Sequence, residues 1–370
     1  MRNYVPSLNG LRAISIFIVL FHHLNAAGTF GAFHAPSFLG FLFDGNFGVN
    51  VFFVISGFLI TTLLLAEEQK NGTISLKNFY IRRIFRIFPA YYFVLFVYFL
   101  LQYFSVLYFT RESWLSSIFY YKYLVPGDAA TGHFWSLSVE EHFYLVWPLV
   151  FFLFRKSRAW FAAGIICLVF ACRFLAYYNR FHLPFVGDWA FIFQRADSIM
   201  IGCLVAMYKD QIIGWMDKLR PLRVILLLLP LLVLNSGYLQ EWNLQYKLHL
   251  GFILIPLNAG APIGTITNVL IAAVLLFSIH KRNWWFSFLN TSAMNFVGKL
   301  SYSLYLWQQL FIMSGKVGVL GKFPINICCC VLAALFSYYI IELPFQWLKS
   351  RLGSREQKAP IPYPALEVAS

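Results

Sequence analysis

Apolar residues fill the chain in runs of about 17–22 positions, the length a helix needs to cross a bilayer, and polar loops separate the runs. About ten such spans are predicted, over 8–26, 48–66, 89–107, 139–154, 159–178, 192–208, 222–239, 264–280, 300–317 and 325–347. The segment 245–263 is also apolar, but Gly251, Pro256 and Gly260 interrupt it, so it reads as re-entrant or interfacial. Beyond about residue 353 the chain becomes polar and Pro-rich (Pro360, Pro362, Pro364), the composition of a disordered tail. The pattern predicts an all-α polytopic membrane protein of about ten transmembrane helices. A single transmembrane domain covers 1–348 and a cytoplasmic tail covers 349–370, with no soluble domain or internal repeat.

Composition agrees and adds orientation. Of 370 residues 60% are hydrophobic and only 12% charged, about half the charge of a soluble domain. The net charge of +14 is not a nucleic-acid signature, because Lys and Arg gather in alternate loops. Arg82, Arg83 and Arg86 with Lys70 and Lys77 follow the second span; Arg155, Lys156 and Arg158 follow the fourth; Lys349, Arg351, Arg355 and Lys358 occupy the tail. The loop 27–47 has no Lys or Arg, so both termini are expected in the cytoplasm. The first span has no Ala-x-Ala-like site after it and is not a cleavable signal. All six cysteines lie inside apolar runs, where Cys packs as a small hydrophobe, and no metal site is expected.

Three stretches place ionisable groups where they are expensive. In LNGLRAISIFIVLFHHLN, Arg12 and His23 are separated by eleven residues. That spacing returns to within about 20° of the same helix face, roughly 16 Å further along the axis. Such groups line a cavity or face a partner instead of lipid, although histidines near a helix end also snorkel to the interface. His22 points about 80° off the Arg12 stripe and is the weaker candidate. The second stretch, FYIRRIFRIFPAYY, gathers Arg82, Arg83 and Arg86 just before Pro89, which suits the start of the third span. Three guanidiniums so close suit phosphate, or anchor the chain against anionic lipid.

The third stretch is HFWSLSVEEHFYLVWP, on the outer side. Ser138 and Glu141 fit a capping box, which leaves Glu140 as the functional carboxylate. His133 and His142 flank the pair and read as interfacial. Asn50, Arg195, Asp197, Gln308, Gln309 and Glu342 are assigned structural roles, Arg195 and Asp197 neutralising each other and the glutamines joining helices.

Together these stretches resemble the acyltransferase-3 family of integral-membrane O-acyltransferases. SLNGLRAISIFIVLFHH, FGVNVFFVISGFLIT, FYIRRIFRIFPAYY, HFWSLSVEEHFYLVWP, RADSIMIGCLVA, SYSLYLWQ and IIELPF carry the resemblance, in the family's order over roughly residues 4–348. It implies transfer of an acyl group, commonly acetyl, from cytoplasmic acyl-CoA to a hydroxyl of an extracytoplasmic glycan or lipid-linked saccharide, at a bacterial inner membrane. It also implies that Arg12 and His23 are the functional pair, that Arg82, Arg83 and Arg86 are the family's RRxxR element, and that Glu140 is the first glutamate of the family's motif. The chain departs from the pattern at Asn9 and Asn50, where acidic residues are frequent, and at Gln308 and Leu310, where His and Pro are frequent. Some relatives carry an added esterase-like domain for which this sequence has no room.

The expected mechanism is a tunnel. Arg82, Arg83 and Arg86 hold the CoA phosphates at the inner mouth, with Arg12 at that mouth or just inside it. The pantetheine arm reaches along the Arg12–His23 stripe, and His23, oriented by Glu140, serves as general base or carries the acyl group itself. The rival reading is a proton-coupled transporter or flippase of a saccharide, using the same Arg, His and Glu as a relay. Against it stand the one-sided basic cluster and the lack of an inverted repeat.

Overall fold

The computed structural model describes residues 5–29, 44–125, 128–178, 186–218, 263–313 and 317–354, and among them every regular element is helical. In chain order these are α1 (Leu8–Ala26), α2 (Gly45–Asn71), α3 (Leu76–Tyr103), α4 (Arg111–Ile118), α5 (Phe134–Leu153), α6 (Arg158–Tyr178), α7 (Val186–Met207), α8 (Lys209–Lys218), α9 (Ile263–His280), α10 (Trp284–Leu289), α11 (Ser292–Ile312) and α12 (Ile325–Phe336). A π-helical turn, Ser337–Glu342, joins α12 to α13 (Leu343–Ser354). The expected span 222–239 and nearly all of the 245–263 segment lie outside the described residues.

Three helices are long and apolar enough to cross a membrane by length and composition: Gly45–Asn71, Leu76–Tyr103 and Ile325–Lys349. The helix Arg195–Met207 turns through 81° into Lys209–Lys218, a bent pair that meets the same test together. Helices α1, α5 and α11, of 19, 20 and 21 residues, have membrane length but carry the polar side chains discussed below.

Local sequence explains where the helices begin, and in three places it corrects the expectation. Helix α3 starts at Leu76 with the Ser75 hydroxyl accepting from the Asn78 amide. Pro89 therefore lies in the middle of one 28-residue helix instead of opening it, and the arginines occupy its early turns. Helix α5 starts at Phe134, four residues before Ser138, so the capping box does not form; the Ser138 hydroxyl donates back to the Phe134 carbonyl. Helix α11 starts at Ser292, capped by Thr291, two turns ahead of the apolar run that marked it. An N-cap signal is only as good as the register in which the chain uses it.

Packing is tightest where two helices meet through glycine. A Cβ on Gly57 of α2 would lie 2.0 Å from the Ile199 carbonyl oxygen of α7, and one on Gly202 would lie 2.2 Å from that of Val54. The two backbones are in contact at this reciprocal crossing, which only hydrogen side chains allow. Helix α1 runs beside α2 with Ser15 and Val19 against Gly48 and with His22 against Gly45. Its first turn is fixed to the α10–α11 corner, where the Ser7 amide donates to Asn290 Oδ1 at 2.9 Å. Moving along α2 from Gly45 to Ser56 therefore runs opposite to α1, three turns away from the His22–His23 end.

The loop before α5 is held by a buried lysine that carries no signal in the sequence. Lys122 Nζ donates to Ser113 Oγ at 2.6 Å and to Asp128 Oδ2 at 3.1 Å. The Ser113 and Thr131 hydroxyls and the Ala130 and Thr131 amides also donate to Asp128. Burial pushes the Asp128 carboxyl upward, but these donors and the Lys122 charge outweigh it and hold the group at about 2.

Two outcomes follow from this packing. Gly57→Ala is expected to cost about 1–3 kcal/mol, seen as a lower melting midpoint in detergent. Gly164→Ala, on α6 with open space around it, is expected to be neutral or to stabilise by up to about 1 kcal/mol. A carboxyl depressed below its unfolded value of about 3.9 contributes stability that is complete above that value and lost as the pH falls. Asp128→Asn should therefore lower stability at pH 7 by about 2 kcal/mol, with the difference from wild type shrinking between about pH 4 and pH 2.

Candidate active site

The polar groups of α1, α2, α3, α5 and α11 separate into two clusters about three helical turns apart. The inner one is cationic. Arg12 of α1 and Arg83 and Arg86 of α3 are electrostatic neighbours of one another and of Glu140, Glu141 and Tyr144 of α5. All three are half-buried, and among the described residues none makes a hydrogen bond or ion pair. Arg83 instead lies over two rings, 5.0 Å from the Tyr144 centroid and 5.6 Å from that of Phe79. Three guanidiniums repel one another strongly in such weakly screened surroundings, so the cluster favours a multivalent anion.

Glu140 is in this inner cluster. Ser56 Oγ donates to its Oε1 at 2.7 Å, and the Tyr144 hydroxyl lies 3.4 Å from its Oε2 and 3.2 Å from Ser56 Oγ. Since Ser56 is three turns along α2 from the His22–His23 end, the expected Glu140–His23 contact does not form. Arg82 also departs from expectation. Its Nη2 donates to buried Glu67 Oε2 at 2.7 Å, and Glu67 Oε1 accepts the Ser75 amide at 2.9 Å, closing the α2–α3 turn. Of the three arginines in FYIRRIFRIFPAYY, only Arg83 and Arg86 join Arg12.

The outer cluster surrounds a cavity of about 120 Å³ lined by His22, His23, Asn46, His133, Tyr305 and Gln309, among others. His22, set aside by its angle on the helical wheel, thus faces the same cavity as His23, because adjacent residues on a helix can both flank a space between neighbours. Hydrogen bonding fixes the His23 tautomer. Gln309 Oε1 accepts the His133 backbone N–H at 3.2 Å, which turns the Gln309 amide N–H toward His23 Nε2 at 3.3 Å. Nε2 must then offer its lone pair, and Nδ1 carries the proton, donated to Gln308 Oε1 at 3.1 Å. His23 is a neutral base held at both nitrogens by amides, with the basic nitrogen on the Gln309 side. His133, expected at an interface, is buried, and its Nε2–H donates to the Leu306 carbonyl at 3.2 Å.

Beside the cavity, Arg195 and Asp197 do not pair with each other. Asp197 receives a bidentate bond from Arg173 at 2.8 and 2.9 Å, with Thr265 and Asn268 completing its shell. Arg195 donates to Asn50 Oδ1 at 2.9 Å and Asn46 Oδ1 at 2.8 Å and lies over Trp135. Residues two apart on a helix point about 200° apart, so that separation follows from geometry. Glu342, at the end of the π-helical turn, accepts from Ser303 and has Arg86 as an electrostatic neighbour. Arg173, Asn46 and Glu67 carried no signal in the sequence beyond being polar near apolar runs.

The described helices thus hold a cluster of arginines at one level and a neutral histidine in a polar cavity at another. Residues 5–342 match the sequence profile of the Acyltransferase domain family, and the chain belongs to it. It is 29% identical, over 93% of its length, to a Staphylococcus aureus protein named "Putative O-acetyltransferase SACOL0978". It is 28% identical, over 95% of its length, to "Putative peptidoglycan O-acetyltransferase YrhL" of Bacillus subtilis. It is also 28% identical, over 93%, to "O-acetyltransferase OatA" of Staphylococcus aureus. The chain covers 56–57% of these relatives' own length. No solved structure matches it significantly.

Proposed function

We propose that the chain moves an acetyl group from cytoplasmic acetyl-CoA to a hydroxyl of an extracytoplasmic glycan or lipid-linked saccharide. About ten membrane spans would carry it, with both termini in the cytoplasm of a bacterial inner membrane. The observation that carries the reading is His23, a base locked into one tautomer with Nε2 beside a polar cavity. Arg12, Arg83 and Arg86 hold the phosphates of CoA, replacing the Arg82–Arg83–Arg86 set expected from sequence. Glu140, fixed by Ser56 and Tyr144, limits the repulsion among those arginines and does not orient His23. That orientation belongs to Gln308 and Gln309.

The acceptor hydroxyl displaces the Gln309 amide from His23 Nε2 and gives its proton to the freed lone pair as its oxygen attacks the thioester carbonyl. Collapse of the tetrahedral intermediate breaks the C–S bond, and the proton passes from His23 to the departing thiolate. Acetyl ester and CoA thiol are the products. Peptidoglycan is the first acceptor to test, because the Bacillus subtilis relative is named for it.

The test uses purified protein in nanodiscs with radiolabelled acetyl-CoA and lysozyme-released peptidoglycan fragments. His23→Ala is expected to lower transfer by about 10²–10⁴ while the melting midpoint is kept. Full activity in that variant overturns the reading. Arg83→Gln and Arg86→Gln should raise KM for acetyl-CoA, whereas Arg82→Gln should lower thermal stability with little change in that KM. Uptake of an unmodified saccharide into proteoliposomes, with no labelled ester formed, would favour the transporter instead.

A further inference from the structure

Acyl transfer generates a negative oxygen on the thioester carbonyl, and a site that accelerates it needs a donor aimed at that oxygen. His23 cannot be that donor while it removes the acceptor's proton. The cavity wall offers a separate one. Asn46 stands in the first turn of α2, on the same cavity as His23. Its Oδ1 accepts from Arg195 Nη2 at 2.8 Å, and a guanidinium can only donate, so the amide is fixed with its NH₂ turned away from Arg195. That NH₂ has no hydrogen-bond partner among the described residues, and it is not one of the polar atoms sealed off inside the fold. An oriented amide donor, unpaired among the described residues, is thus carried by a residue that lines the same cavity as the base.

We propose that Asn46 is a catalytic residue whose side-chain N–H binds the oxyanion of the tetrahedral intermediate, and that Arg195 is the positioning residue that orients and polarises it. The proposal rests on the acetyl-transfer reading above. The bond from Arg195 draws electron density from the Asn46 oxygen and makes its N–H groups better donors, as happens along any charged hydrogen-bond chain. When the acceptor oxygen bonds to the carbonyl carbon, the C=O π pair moves to the carbonyl oxygen and is held there by Asn46. When the pair returns, the C–S bond breaks, the sulfur leaves with its electrons, and the thiolate takes the proton from His23. No other reactant is required.

Two substitutions separate this role from a structural one. Asn46→Asp keeps an oxygen for Arg195 but removes the donor; Asn46→Ala removes both. Assayed in nanodiscs with radiolabelled acetyl-CoA and peptidoglycan fragments, both are expected to lose about 10²–10³ in kcat, with KM for acetyl-CoA within about threefold of wild type. Asn46→Asp should also keep the wild-type melting midpoint. Retention of kcat in Asn46→Asp, with loss only in Asn46→Ala, would make Asn46 a mere anchor for Arg195 and overturn the proposal. A rise in KM with kcat unchanged would overturn it too, since an oxyanion forms only after binding. A wild-type protein that transfers no acetyl under these conditions would overturn the parent reading, and this one with it. An active wild type beside an active Asn46→Asp overturns this one alone.

Discussion

The cost of an ionised side chain in apolar surroundings governs this protein. Water is scarce between the helices, so a charge there must be neutralised by a partner or must await one from outside the fold. The chain contains both kinds. Arg173 and Asp197 share a bidentate bond and are almost completely buried, with Thr265 and Asn268 taking up the remaining carboxylate valence. Arg82 and Glu67 likewise close a turn. Breaking either pair by removing one partner would leave a buried charge uncompensated. Arg12, Arg83 and Arg86 have Glu140, Glu141 and Glu342 as electrostatic neighbours but, among the described residues, no direct ion pair, so that level is the one open to an anion from outside.

Helix packing sets the separation between the charged level and the histidine level. Glycines at 57 and 202 bring α2 and α7 into backbone contact, and Gly48 lets α1 lie directly on α2. With the backbones this close, sliding one helix by a residue would drive a side chain into a neighbouring carbonyl. The level of Ser56 relative to Arg12, and of Gly45 relative to His22, is therefore fixed by contact instead of by loop length. Packing of this sort replaces the hydrophobic effect, which gives helices little reason to associate once they are surrounded by lipid.

The helical class, and the placing of Arg12 and His23 at two levels of one helix, were legible in the sequence because each rests on period and composition alone. Partnerships were not. Glu140 stood out as a carboxylate without a local role, and it is one, but which residue it serves depends on the antiparallel register of α1 and α2. Arg82 looked equivalent to Arg83 because they are adjacent; about 100° of helix rotation sends one to Glu67 and the other to Tyr144. Ser138 misled because a serine three residues before a glutamate also occurs inside helices, where its hydroxyl turns back on its own carbonyl. Gln308 and Gln309 look, from sequence alone, like glue between helices. They do join α11 to α1 and to the start of α5, and the same bonds are what fix the base.

The choice of amides to hold His23 has a chemical consequence. In a soluble triad a carboxylate faces the far nitrogen and stabilises the imidazolium that forms during catalysis. Here the far nitrogen faces the Gln308 oxygen, which orients the ring as well as a carboxylate would but contributes no charge. A carboxylate at that position would have to be desolvated in the resting protein, a cost that the neutral amide avoids. An imidazolium formed on His23 would be correspondingly short of compensation, stable only with a negative charge beside it. In the acetyl transfer we propose, that charge would be the oxyanion first and the thiolate second. A proton taken from the acceptor would then be held only as long as the tetrahedral intermediate survived, which would tie deprotonation of the hydroxyl to attack on the thioester and disfavour an idle charged state.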